Sequence, residues 1–147
     1  MKLKIYLPAA LVTFLAATTG ADLYAKTTIA SEPLDVALRD HLYWAAEQFI
    51  GTLLLLAPFV AVALFCACIE RQARSRSIGL IFTAAMLTLL YFYFQGHLAA
   101  ERAMLAKMWT AAALSIGLLP FFIGVPVVLA VIGAGALAVK FDHRTSG

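Results

Sequence analysis

Four uncharged runs constrain this chain more tightly than any other feature in it. Phe49 to Ile69 and Ile78 to Phe94 hold no charged residue, and between them lies a short basic island, Glu70-Arg71-Gln72-Ala73-Arg74-Ser75-Arg76-Ser77. Ile5 to Ala21 forms a third such run, and Met108 to Val139 a fourth. A hydrocarbon core about 30 Å thick is crossed by roughly 20 residues of helix, at about 1.5 Å per residue. The sequence therefore predicts an all-α, integral membrane four-helix bundle: a single membrane domain over 1–147 with spans at about 4–25, 46–69, 78–95 and 108–139. An outer polar segment, 26–45, and a cytoplasmic basic loop, 70–77, complete it.

Composition points the same way. Charged residues make up 13% of the chain and hydrophobic ones 63%, where a soluble globular domain carries about a quarter charged. The net charge of +3 does not imply nucleic acid, because the basic residues follow the positive-inside rule. Arg71, Arg74 and Arg76 anchor the short loop on the cytoplasmic side, and Lys2, Lys4, Lys140 and Arg144 join them there. Lys26, Arg39, Arg102 and Lys107 fall outside, among most of the acids. The expected location is the plasma (inner) membrane, multi-pass, with both termini cytoplasmic. Tyr24, Tyr43, Trp44 and Trp109 then share one outer level, where aromatic rings sit well at the bilayer interface.

Taken in order, Met1 to Ala21 admits two readings: a signal peptide cut near Thr19-Gly20-Ala21, or a first span continuing to Ala25. The span is preferred, since it gives an even number of crossings. Residues 26–30 are expected to be loop. Ser31-Glu32-Pro33 has the form of a helix start with a serine N-cap, and Leu34, Leu38, Leu42, Ala45 and Phe49 make one apolar stripe on the helix that follows. Gln95-Gly96 is expected to turn, with 97–107 a solvated approach to the last span. That last run would measure about 48 Å as a straight helix, well beyond the hydrocarbon thickness. Gly117, Pro120, Gly124 and Pro126 cluster at its middle, so a kink at Pro120 and Pro126 is predicted.

Residues that could carry chemistry are few. His41, His97 and Glu101 are candidate metal ligands, with His97 and Glu101 four apart on one helical face; the two histidines could alternatively hold a haem between helices. Glu47 lies where the second span meets lipid. Cys66 and Cys68, two apart, point to different sides of a helix and are expected to act as small hydrophobes. Ala57 and Ala61, and Ala130, Ala134 and Ala138, repeat at the small-xxx-small spacing that lets helices pack closely in lipid. No phosphate-binding, dinucleotide, nucleophile-elbow or zinc motif is present, and no cofactor is expected.

These readings favour a non-enzymatic accessory or regulatory subunit. Its partners would be the lipid bilayer and a membrane protein, or further copies of itself, with no nucleic acid. A small oligomeric transporter or channel using the broken fourth helix is the alternative, and a haem- or metal-binding redox subunit a further one. The topology has a direct test. Cysteines placed at Lys26 or Lys107 are expected to react with an impermeant thiol reagent from outside, and a cysteine at Arg74 is not; outside labelling at position 74 would reverse the orientation.

Overall fold

In the computed structural model, residues 3–72 and 75–145 are described, and every regular element among them is helical. Helix α1 (Leu3–Leu15) runs through a π-helical turn (Ala16–Gly20) into α2 (Ala21–Thr28). Helix α3 (Leu34–Glu47) is followed after one residue by α4 (Phe49–Ile69), and α5 (Ser75–Leu105) by α6 (Trp109–Gly117). A second π-helical turn (Pro120–Gly124) leads into α7 (Val125–Thr145). Four stretches are long and apolar enough to cross a membrane: Leu3–Thr28, Phe49–Ile69, Arg76–Leu105 and Trp109–Phe141. The chain is a small multi-pass membrane protein built as a four-helix bundle. Arg71 and Arg76 are exposed beside the connection between α4 and α5, whereas Arg74, like Lys2, lies outside the described residues.

Helix α5 is the spine, touching α1, α2, α4, α6 and α7. Lipid tails are as apolar as leucine, so close packing rather than escape from water holds such helices together. An aromatic ladder supplies much of it. Tyr6 meets Phe82 at 4.7 Å between ring centroids, Phe14 meets Phe59 at 5.5 Å, and Phe59 meets Tyr93 at 5.1 Å; each such pair contributes about 0.5–1.5 kcal/mol beyond its area. On the first span Ala17, Ala21 and Ala25 are fully buried at four-residue spacing. This small-residue stripe faces α5, against which α2 and the first π turn pack.

The fourth span breaks where the prolines predict. Its helical ladder is interrupted at Leu118, Pro120 opens the π turn, and Pro126 sits in the first turn of α7. Proline lacks the N–H that the ladder needs and crowds the preceding turn, and a π turn is one way a helix absorbs that defect.

Several local expectations are corrected. Residues 26–28 are helical, and loop begins only at Ile29. Pro33, not Ser31, occupies the N-cap position of α3, while Ser31 has φ 57° and turns the chain. The expected turn at Gln95-Gly96 does not form, and 97–105 is not a solvated approach, since α5 continues unbroken to Leu105. Helix propensity through HLAAERAML is high, and Gly96 serves a different purpose. A Cβ there would lie 2.8 Å from Leu119 Cδ1 and 3.1 Å from the Ser115 carbonyl oxygen, so its absence lets α6 approach α5. The helix ends instead at Lys107, in the left-handed region at φ 57°. Met108 N–H donates to Ala103 O at 2.8 Å and Lys107 N–H to Met104 O at 2.9 Å, the paired bonds of a Schellman cap.

Contact of α4 with α7 and with the second π turn depends on two glycines. A Cβ on Gly135 would lie 2.8 Å from Phe65 Cε1, and one on Gly124 would overlap the Pro58 ring. Gly124→Ala is expected to lower the unfolding midpoint in detergent by the equivalent of about 1–3 kcal/mol, the usual cost of overpacking. Gly133→Ala, with nothing within 4 Å of the added carbon, is expected to be neutral or to stabilise by up to about 1 kcal/mol.

Candidate functional site

The polar residues of the spans converge at the end of the bundle away from the basic loop. Asp22, one turn beyond the first π turn, accepts a bond from Lys26 Nζ at 3.0 Å, its i+4 neighbour on α2. His41, only 7% exposed on α3, lies with Nδ1 2.9 Å from Asp22 Oδ2 and Nε2 3.0 Å from Thr19 Oγ1. With a neutral ring, Nδ1–H donates to the carboxylate and Nε2 accepts from the threonine hydroxyl. A wider π turn changes which residues share a face; here it brings Thr19 and Asp22 toward one imidazole. Helix α3 is thereby tied to the first span by side-chain chemistry.

The face of α3 follows from this. The predicted stripe of Leu34, Leu38 and Leu42 points outward, and Ala37 and His41 are the buried residues. In water an apolar stripe turns toward the protein core. Beside a bilayer it turns toward lipid, as in an interfacial amphipathic helix, and the narrow face of Ala37 and His41 is left for the protein. Glu47 takes no part in this network: on the outward side of α3 it accepts a bond from the Tyr43 hydroxyl at 2.8 Å.

Between α2, α3, α5 and α6 lies a cavity of about 780 Å³. Asp22, Lys26 and His41 line it from one side, His97 and Glu101 from α5, and Gly117 and Pro120 from the broken fourth span. Apolar walls come from Leu54, Leu55 and Ile116, and both tryptophans of the chain, Trp44 and Trp109, border it. His97 is 4% exposed, and its Nδ1–H donates to the Tyr93 carbonyl at 2.9 Å, which leaves Nε2 as the acceptor. Glu101 is 7% exposed and makes no hydrogen bond or ion pair to any described residue.

The structure thus brings His41, His97 and Glu101 to one cavity. Among the described residues, no three of His, Cys, Asp and Glu converge closely enough to hold a metal ion. Asp22, Lys26 and Thr19 were not picked out from sequence; the i, i+4 spacing of Asp22 and Lys26 near a span end was the available signal. Of the small residues, Ala57 and Ala130 face outward, while Ala61, Ala134 and Ala138 are half-buried. Cys66 is buried and Cys68 exposed, both as free thiols.

His41→Leu removes both bonds that dock α3, and is expected to lower stability by about 1–2 kcal/mol, on the scale of interhelical hydrogen bonds in membrane proteins. Glu47→Gln is expected to stay within about 0.5 kcal/mol. Detergent unfolding midpoints of the two variants check this contrast. No family model matches the chain, and no curated protein or solved structure matches it either.

Proposed function

We propose that this protein binds a small molecule inside the membrane, in the cavity between α2, α3, α5 and α6, in the manner of a small transporter. One observation carries the reading: the 780 Å³ cavity receives His97 and Glu101 from α5 and abuts the break in the fourth span at Gly117 and Pro120. Ligand pockets run to about 300–1,000 Å³, with mostly apolar walls and a few convergent polar groups. Ionisable residues buried in a span mark substrate pathways by default, and transporter sites lie where helices are discontinuous. Ser115 Oγ donates to the Ala111 carbonyl at 2.8 Å and is spent on its own helix, so the polar lining comes from the neighbouring α5. With the basic loop cytoplasmic, the cavity lies toward the outer face.

Binding has a built-in reporter, since both tryptophans border the cavity. N-phenyl-1-naphthylamine, a neutral apolar fluorophore, is expected to quench them saturably by energy transfer in the full chain held in nanodiscs. Ala112→Phe, at a buried lining position on α6, is expected to reduce that signal at least fivefold by filling the space. Quenching that never saturates, or that the variant leaves unchanged, removes the reading.

An accessory-subunit role keeps one specific support: Ala57 and Ala130 face outward and offer close approach to another helix. Cross-linking from cysteines at these two positions to a co-purifying membrane protein distinguishes it, because ligand binding requires no such partner.

A further inference from the structure

We infer that the ligand of this cavity is a hydrophobic cation, an amine or quaternary ammonium (or phosphonium) centre on an apolar body. The inference rests on the cavity being a binding site and adds the charge and character of what enters it.

Charge around the cavity is unbalanced. Its lining carries the carboxylates of Asp22, Glu32, Asp40 and Glu101 against the single cation Lys26. Lys26 is committed to Asp22 at 3.0 Å, so three carboxylates face the space without a cation of the chain's own. Two of them are independently without partners. Glu101 is more than nine-tenths buried and accepts no hydrogen bond from any described residue. Glu32 Oε2 is buried and likewise unpaired. A carboxylate that opens on a largely apolar cavity without a partner is poorly solvated, and a charge in such a place is kept where something pairs with it. His97 does not serve as that partner by geometry on its bonded side, since its Nδ1 is occupied by the Tyr93 carbonyl.

The remaining walls specify the rest of the ligand. Trp44, Trp109 and Tyr43 border the space, and aromatic rings attract cations through their quadrupoles. Leu54, Leu55, Met104 and Ile116 offer hydrocarbon. A bare inorganic cation would leave these walls unused, and no cluster of three ligating side chains is there to replace its hydration shell. An anionic amphiphile would meet three like charges.

Tetraphenylphosphonium and tetraphenylborate are nearly isosteric hydrophobic ions of opposite charge, and they separate the terms. With the full chain in nanodiscs, the cation is expected to quench tryptophan emission saturably and to bind at least tenfold more tightly than the anion. Glu101→Gln is expected to weaken the cation at least tenfold while leaving N-phenyl-1-naphthylamine binding within twofold. Glu32→Gln, on the connection to α3 and away from the packed spine, is expected to weaken it by a smaller factor and covers a folding failure at position 101. Equal affinity for the two ions, with the neutral probe still bound, overturns the cation assignment and leaves the binding site standing. Absence of saturable binding by all three probes overturns both.

Discussion

Every polar group in the spans of this protein must find its partner inside the protein, because lipid offers none. The hydroxyls meet that demand locally. Thr13, Thr18, Thr83 and Thr88 each donate to the carbonyl four residues back, at 2.8 to 2.9 Å. Such back-bonding bends helices, and Thr18 does it inside the first π turn. Asp22 cannot be satisfied so cheaply. It draws on Lys26 one turn along and on His41 from a separate helix, and this need is what fixes α3 over the end of the bundle. A helix of fourteen residues with its apolar face turned to the bilayer is thus positioned by a carboxylate on another helix.

Two groups stand outside this accounting. The Tyr93 hydroxyl is buried and unpaired beside Gly124, at the second π turn, where Tyr93 also stacks on Phe59. Glu101 is the other, two turns further along α5. Both therefore lie on the one helix that touches nearly everything else, facing the broken span. Unpaired polarity gathers where a structure does something besides hold together, and here the Tyr93 hydroxyl and Glu101 lie along a single face of α5.

How much of this was legible in the sequence depends on the scale of the feature. Long uncharged runs leave a helix no alternative in lipid, so the four spans were readable from Ile5, Phe49, Ile78 and Met108 onward. The break in the fourth was readable because proline removes a hydrogen bond wherever it stands. The ends of spans are less legible, because a charged residue there can face either solvent or a cavity. His97 and Glu101 looked like an exposed approach because they are polar, yet a 31-residue helix has length to spare for a membrane and carries them into a cavity. Gly96 looked like a turn, although glycine also marks the close approach of another helix, and only the position of Leu119 decides between the two. The outward stripe of α3 was visible as a stripe, but its direction depends on whether the apolar phase lies inside or outside the protein.

The cavity itself follows from two backbone events that sequence places separately. Lys107, in the left-handed region, folds α6 back against α5, and the helical ladder is interrupted at Leu118, before the second π turn leads into α7. Helix α6 is therefore a nine-residue wall that starts after the non-helical Met108 and ends at the interruption at Leu118, seated on α5 through the notch at Gly96. His97 and Glu101 face the cavity that this wall borders, and Gly117 and Pro120 line the same space, so the interruption in the last span and the ionisable residues of α5 meet at one site.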